Sequence, residues 1–174
     1  MLAASRRRAQ AAGLAAGDAA ALPLRDHAAG LTVAAHMLYH VPDPRLAVRE
    51  LRRITRPGGA VLVVLNGHDH MRELRDLMAS TLKDATGQPP PAPRLRLDDG
   101  QDLLASQFTS VIRHDFISEL RIPGPEPVEN YVRSTIGTQN QPDPDAIATA
   151  VASRLSASDW PFKVHSHSGC LICT

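Results

Sequence analysis

The feature that most constrains the fold is a pair of apolar runs separated by one helix-forming segment. Residues 31–38 and 60–65 are continuously apolar rather than alternating, as strands buried on both faces of a parallel sheet require. Between them, residues 45–55 carry leucine and isoleucine at helical spacing. A strand, a helix and a strand with short joints form a βαβ unit, which predicts parallel strands and a right-handed crossover.

Signals for the start and the end of this helix lie at the two joints between the helix and the strands. Asp43 suits the N-cap position and Pro44 the first helical position. The segment 56–59, which reads Arg-Pro-Gly-Gly, follows the helix. Its glycines allow a tight turn that a side chain would block.

Length and charge exclude several classes of protein. At 174 residues and 43% hydrophobic content, we expect a single domain over 1–174 with a substantial core. A net charge of +1 gives no basic surface for nucleic acid. No run reaches the roughly 20 apolar residues of a membrane span. No signal-peptide pattern or disulfide framework is evident, so we expect a cytoplasmic protein without membrane or nucleic-acid partners.

The rest of the chain predicts a mixture of helices and strands. The predicted helices cover residues 1–12, 70–84, 98–105, 126–136 and 143–157, and the predicted strands cover 14–16, 108–122 and 162–173. Residues 17–29 are expected to form a loop. Residues 88–93 are rich in proline and predict an extended connector.

A set of short motifs adds a family to this pattern. In chain order they are Gly17-Asp18-Ala19, Leu22-Pro23, the apolar run 31–38, Pro42-Asp43-Pro44 and the turn 56–59. Together they resemble the class I S-adenosylmethionine-dependent methyltransferases, specifically the type 11 (UbiE-like) small-molecule group. The resemblance is specific over residues 1–66 and architectural beyond them.

The resemblance implies S-adenosyl-L-methionine as cofactor and places three residues beside it. Asp18 would accept a hydrogen bond from the adenine amino group, and the amide of Ala19 would meet the ring edge. Ala35 would offer its backbone to the methionine part of the cofactor. The alternative for Asp18 is a plain Asx-turn.

Three histidines follow the strands at the edge where parallel sheets present ligands. The resemblance makes His36 and His68 weak candidates for acceptor binding. His40 is a weak candidate for the general base, because its ordinary pKa lies near neutrality. The alternatives are a helix cap, a packing role or an exposed loop, and no catalytic residue is assigned.

The implied fold class is α/β, a Rossmann-like class I methyltransferase sheet that lacks its first βαβ part. The glycine-rich loop of the family would lie upstream of Met1, and the chain contains no Gly-x-Gly-x-Gly run. Residues 1–66 would form the cofactor-side half and residues 67–174 the variable acceptor-side region. Without the first strands, residues 31–38 would form an open apolar edge, which predicts a possible homodimer.

Two motifs have the residue types of a metal site, and neither leads us to assign one. His165 and His167 precede a Cys-x-x-Cys pair, but residues 170 and 173 would point to opposite faces of a strand. A lone pair also lacks the further ligands of a zinc site. His68-Asp69-His70 follows the strand 60–65, where an acceptor pocket or an exposed loop are the other interpretations.

The leading functional hypothesis is methyl transfer from S-adenosylmethionine to a small-molecule acceptor. The alternative is a non-catalytic methyltransferase-like remnant or a partner subunit, which the missing glycine loop favours. An unrelated NAD-binding Rossmann protein is a third possibility, although it too would need such a loop.

Overall fold

The computed structural model describes residues 13–87, 95–136, 143–155 and 159–174. The chain divides into two compact units. Unit 1 comprises residues 1–65, 94–114 and 170–174, and unit 2 comprises residues 66–93 and 115–169. The single domain expected from the sequence, with halves meeting at residue 66, stays a prediction.

The described part of the chain contains five α-helices, four strands and a short 3-10 helix over Leu38–His40. The helices are α1 (Pro44–Ile54), α2 (Arg72–Thr86), α3 (Leu97–Ala105), α4 (Pro125–Ile136) and α5 (Pro144–Ser153), and the strands are β1 (Ala29–Ala35), β2 (Thr55–Asn66), β3 (Val111–Ile122) and β4 (Phe162–Cys173). The strands form one sheet in the order β1-β2-β4-β3. The α/β fold class is therefore confirmed.

The predicted βαβ unit is present as β1, α1 and β2. The two strands are parallel, with Leu31 opposite Ala60 and continuous pairing up to Ala35 opposite Val64. Ala29 pairs with Thr55, so the turn 56–59 is accommodated as an irregularity inside β2. Gly58 has a φ of 74° there, a conformation that side chains disfavour.

The cap of α1 has the predicted geometry. Asp43 accepts hydrogen bonds from the backbone N–H groups of Arg45 and Leu46 at 2.9 and 3.3 Å. Pro44 is the first helical residue. These bonds satisfy amides that have no partner within the helix, so the crossover from β1 to β2 starts at a fixed residue.

Some predicted elements differ from the structure or lie outside its description. Residues 14–16 are not a strand, and that prediction is wrong because all three are exposed and cannot gain from burial. β1 ends at residue 35 rather than 38, because His36 adopts a left-handed φ of 50°. The predicted segments 1–12 and 88–93 lie outside the described residues.

The core of unit 1 packs α1 and α3 against the sheet. Its buried residues include Val48, Leu51, Val61, Val63, Leu65, Leu97, Leu104 and Leu171. A Cβ at Gly100 of α3 would lie only 2.2 Å from Leu65 Cδ1, so the missing side chain lets α3 approach β2 closely.

Unit 2 has its own core, formed by three helices and part of β4. Its buried residues are Met71, Leu74, Met78, Leu82, Val128, Val132, Ile147, Ala148, Val151 and Val164. An ion pair between Arg154 and Asp84 links the end of α5 to α2. None of the described helices has the length and apolar character needed to cross a membrane.

A chain of two buried hydroxyl groups joins the start of β2 to its neighbours. Thr55 Oγ1 donates to the carbonyl of Leu51 at 2.7 Å. Thr32 Oγ1 lies 2.6 Å from Thr55 Oγ1. Because the single hydroxyl proton of Thr55 goes to Leu51, the proton between the two threonines must come from Thr32.

This polarity predicts that the two threonines differ in their effect on stability. Thr55→Val would leave the Thr32 hydroxyl buried without an acceptor, and should lower the free energy of unfolding by about 1–3 kcal/mol. Thr32→Val removes only a donor and should cost less. Urea unfolding of both single variants and the double variant measures this. A Thr32→Val cost equal to or above that of Thr55→Val would contradict the assigned proton direction.

The open apolar edge expected from the sequence exists in the described sheet. β1 is one of the two terminal strands in the sheet order, with β3 at the other end, and it leaves Leu31 and Val33 exposed at 59% and 55%. Pairing of this edge with a second copy of the chain stays a prediction.

Val33→Lys tests that prediction, because a charged residue on an edge strand opposes strand pairing. We expect the parent chain to self-associate and the variant to be monomeric in sedimentation velocity. Ile117→Lys, at an exposed apolar position of β3, is the matched control. A parent chain that is a monodisperse monomer would refute self-association through β1. So would a dimer that dissociates only in the β3 variant.

Candidate functional site

In unit 1, the loop before β1 is held against α1 by one arginine. Arg53 Nη1 donates to the Leu24 carbonyl at 2.8 Å and to Asp26 Oδ1 at 2.7 Å. Arg53 Nη2 donates to the Leu22 carbonyl at 3.1 Å. A single side chain on α1 therefore fixes three consecutive parts of a loop that has little regular structure of its own.

Glu50 holds Arg53 in place, and the two side chains together form what we call the loop anchor. The two carboxylate oxygens of Glu50 accept from Arg53 Nε and Nη2, both at 2.7 Å. Glu50 also accepts the backbone N–H of Leu22 at 2.8 Å. The hydrogen bonds from Arg53 and then from Leu22 lower the pKa of Glu50 from 4.5 to about 2. Glu50 and Asp26 in turn raise the pKa of Arg53 above its ordinary value.

Asp18 lies at the start of this anchored loop and forms a turn. Its Oδ1 accepts the backbone N–H of Ala20 at 2.9 Å, and its carbonyl accepts the N–H of Ala21 at 3.0 Å. This is the Asx-turn that the sequence left open as an alternative. Within the described part of the chain, that bond uses only one carboxylate oxygen of an exposed side chain.

The glycine and proline of the same motif are in contact. A Cβ at Gly17 would lie 2.6 Å from Pro23 Cδ, so only glycine lets the two ends of the loop pack together. Ala19 packs, partly buried, against the core of unit 1. The motif residues thus form one closed turn that leaves the Asp18 carboxylate on its surface.

The other predicted cofactor-side residues lie just after β1. Ala35 is the exposed last residue of the strand. His36 follows in the left-handed region and donates its backbone N–H to the Val64 carbonyl at 3.0 Å. A non-glycine residue held there is strained, which is common at ligand-binding sites. His40 is exposed, and its ring lies 4.5 Å from that of Tyr39 between centroids.

His68, the remaining candidate for acceptor binding, lies in unit 2 between β2 and α2. Its carbonyl accepts a hydrogen bond from Arg75 Nη1 at 2.9 Å. This bond orients the backbone of the segment that also carries Asp69. The acceptor-binding role of His68 stays a prediction.

Unit 2 contains a cluster of histidine and aspartate side chains. His165 and His167 are two residues apart on β4, so their side chains share one face of the strand. Asp69 lies between them: its Oδ2 is 2.9 Å from His165 Nε2, and its Oδ1 is 2.7 Å from His167 Nδ1. Among the residues that the structure describes, these three form the one group spaced to hold a metal ion.

A second carboxylate holds His167 from the other side. Asp115 Oδ1 lies 2.6 Å from His167 Nε2. Asp115 and Asp69, in that order, raise the pKa of His167. The hydrogen bond from His167 also lowers the pKa of Asp69. The imidazole is therefore oriented by both of its nitrogens.

Backbone contacts fix the segment that carries Asp69 against β4. Gly67 N–H donates to the His167 carbonyl at 2.9 Å, and Met71 N–H donates to the His165 carbonyl at 2.7 Å. The His165 N–H donates to Glu73 Oε2 at 2.9 Å, and this bond lowers the pKa of Glu73. The cluster therefore sits on a frame of main-chain hydrogen bonds.

The sequence shows both parts of this cluster as candidate metal-binding segments, but it does not predict that they meet. It treated the segment 68–70 and the pair of histidines on β4 separately, because nothing local indicates that they meet. Cys170 and Cys173 are not part of the group. Burial raises the pKa of Cys173 to about 11 and also raises that of Cys170.

Comparisons with known proteins relate the chain to methyltransferases. Residues 1–63 match a family described as a methyltransferase domain. A solved putative methyltransferase from Bacillus halodurans is 15% identical, with 90% of this chain and 68% of that chain covered and a TM-score of 0.52. A putative methyltransferase from an antibiotic biosynthesis pathway of Anabaena variabilis is 16% identical, with 91% and 71% covered and a TM-score of 0.57.

The chain has the class I methyltransferase fold. The match to the methyltransferase-domain family covers residues 1–63, and the expected fold class is confirmed. A solved (4+2)-cyclase also matches, at 16% identity and a TM-score of 0.52, with 99% of this chain but 60% of that chain covered. No curated protein sequence matches the chain. At such identities the solved structures show the fold and not the substrate.

The lowered pKa of Glu50 predicts an acid-sensitive anchor. Glu50 is ionised in the folded chain down to about pH 2, whereas in the unfolded chain it takes up a proton below its ordinary value. Its contribution to stability is therefore complete above about pH 5 and is lost as the pH falls towards 2. We expect Glu50→Gln to have a lower urea midpoint than the parent chain at pH 7. At low pH the two midpoints should become equal.

Urea titrations at several pH values measure the difference between the two proteins. Glu126→Gln, at an exposed glutamate in α4, controls for the loss of a carboxylate elsewhere. A difference in urea midpoint between the parent chain and Glu50→Gln that stays constant with pH would contradict a stabilising role of the ionised Glu50 carboxylate.

Proposed function

We propose that the chain binds S-adenosyl-L-methionine through unit 1 and transfers its methyl group to a small-molecule acceptor. The observation that carries the proposal is the Asp18 turn. Asp18 belongs to the motif whose acidic residue faces adenine in the resembled family, and its exposed carboxylate lies on a loop that Arg53 and Glu50 anchor to α1.

The chemistry of adenine suits such a carboxylate. The exocyclic amino group is a donor, and an ionised oxygen accepts from it more strongly than a neutral one does. The Asx-turn uses Oδ1 for the Ala20 amide, so Asp18 Oδ2 can serve the ligand while the turn stays intact. The anchored loop also lowers the entropy cost of ordering Asp18 on binding.

Methyl transfer itself requires few catalytic side chains. The methyl group of the sulfonium is displaced in line by a nucleophilic acceptor atom, so alignment supplies most of the catalysis. Ala35 and the strained His36 would hold the methionine part by their backbone. His40, exposed on the turn after β1, would take a proton only from an acceptor that must lose one, such as a hydroxyl group.

Two observations support a small molecule as the acceptor. The net charge of +1 lacks the basic excess that a nucleic-acid substrate would require. One structural neighbour is a putative methyltransferase from an antibiotic biosynthesis pathway. The fold is also that of a (4+2)-cyclase, so a reaction other than methyl transfer is the second candidate.

Calorimetry with S-adenosylhomocysteine tests cofactor binding by the chain as it stands. We expect a dissociation constant below about 100 μM, equivalent to roughly −5.5 kcal/mol. Asp18→Asn should weaken binding about 10- to 100-fold, because a charge-assisted hydrogen bond contributes about 1.5–3 kcal/mol. Asp76→Asn, at an exposed position of α2, is the matched control and should not change affinity.

The same experiment separates the alternatives. Absence of heat at millimolar ligand would reject the chain as a cofactor-binding enzyme and favour the non-catalytic remnant or partner subunit. Binding that Asp18→Asn leaves intact would reject the adenine role of Asp18. Cofactor binding without methyl transfer to any small-molecule nucleophile would favour the second candidate reaction.

A further inference from the structure

The His–Asp cluster of unit 2 has a chemistry that methyl transfer does not use. We infer that Asp69, His165 and His167 bind a divalent transition-metal ion of the zinc type, with Asp115 holding His167 in place. The argument rests on the residue types, the spacing of their ligand atoms and the partners of each ring nitrogen.

The ligand atoms already converge on one point. Asp69 presents one oxygen to each imidazole, at 2.9 Å from His165 Nε2 and 2.7 Å from His167 Nδ1. In a tetrahedral site with bonds of about 2.0–2.1 Å, neighbouring ligand atoms lie roughly 3.3 Å apart. The carboxylate would therefore need to withdraw by roughly half an ångström to admit an ion, which a side-chain rotation achieves.

A second, independent observation in favour of a bound ion comes from His165. Its Nε2 is buried and has no hydrogen-bond partner in the described part of the chain. The nearby Asp69 oxygen, at 2.9 Å, does not meet the geometry of a hydrogen bond with it. A buried ring nitrogen without a partner costs free energy, and a metal ion at this point would satisfy it.

His167 has the arrangement of a metal-bound histidine. A ligating imidazole usually donates its other N–H to a carboxylate, which fixes the tautomer and the ring orientation. Here Nδ1 faces Asp69 while Nε2 lies 2.6 Å from Asp115 Oδ1. In this structure Asp69 and Asp115 each accept a hydrogen bond from the ring. Binding of the ion would release the Nδ1 proton to solvent and turn the Nδ1 lone pair to the metal, while the Nε2 proton stays on its bond to Asp115.

The backbone around His167 leaves space for this ring position. A Cβ at Gly67 would lie 2.3 Å from His167 Nδ1, the proposed ligand atom itself. Any larger residue at position 67 would displace the ring. The strand also places both histidines on one face, since they are two residues apart.

The ligand set indicates the class of ion. Two imidazole nitrogens and one carboxylate suit Zn²⁺, Fe²⁺ or Co²⁺ rather than Ca²⁺ or Mg²⁺, which prefer oxygen ligands. Three protein ligands leave at least one position for water or an oxygen-bearing molecule, as in open zinc sites. The side chains of His165 and Asp69 are 29% and 36% exposed, so the cluster lies close to the surface of unit 2 although the His165 Nε2 atom itself is buried.

The test uses the full chain, free of any histidine tag and stripped of metal with a chelator. We expect titration with ZnCl₂ to show one ion per chain and a rise in melting temperature. Asp115→Asn should weaken Zn²⁺ binding about 10- to 100-fold. His165→Asn, His167→Asn and Asp69→Asn should each weaken Zn²⁺ binding further. His114→Asn, an exposed histidine outside the cluster, should leave binding unchanged.

Co²⁺ provides a readout that requires no variant. A tetrahedral or five-coordinate site with nitrogen and oxygen ligands gives visible d–d absorption without a thiolate charge-transfer band. Circular dichroism of each metal-free variant shows whether it has folded before its affinity is interpreted.

Three results would overturn the inference. The first is the absence of one-to-one Zn²⁺ binding by the folded parent chain at micromolar concentrations. The second is binding that survives in folded His167→Asn but is lost in Cys170→Ser. The third is a thiolate band in the Co²⁺ spectrum, which would move the ion to the cysteines.

Discussion

Parallel pairing of β1 with β2 is the constraint on which the first unit depends. Parallel neighbours cannot be joined by a tight turn, so α1 must cross the sheet between them. That crossover positions two further features. Its inner face forms the core with β2, and its outer residues Glu50 and Arg53 reach the loop before β1. The buried Thr32 and Thr55 hydroxyls tie the helix end to both strands.

The loop that carries Asp18 shows how such a scaffold makes a candidate binding site. Residues 17–28 have almost no regular structure, and their order comes from the Arg53 and Glu50 side chains instead of from a strand or helix. Charge-assisted hydrogen bonds of this kind hold backbone carbonyl and amide groups that would otherwise be solvated. The exposed Asp18 carboxylate thus belongs to a loop that is already positioned.

Local signals predicted much of the fold. The continuous apolar runs, the Asp43 cap and the Arg-Pro-Gly-Gly turn each act over a few residues, so their structural consequences can be derived from sequence. The errors arose where local preference was weak. Residues 14–16 are too few and too exposed to form a strand, and β1 ends early because His36 turns into the left-handed region. The anchor formed by Glu50 and Arg53 could not be predicted, since almost thirty residues separate it from Leu22.

The sequence by itself determined the βαβ unit, the α/β class and the family resemblance, because periodicity, capping and motif spacing are properties of neighbouring residues. Only the tertiary structure decided which distant polar groups meet. Asp69 and His167 are 98 residues apart, and they come into contact because the segment after β2 lies along β4. No local preference encodes such a contact. It follows from the packing of unit 2, in which main-chain hydrogen bonds hold residues 67–71 against β4 and so bring Asp69, His165 and His167 together.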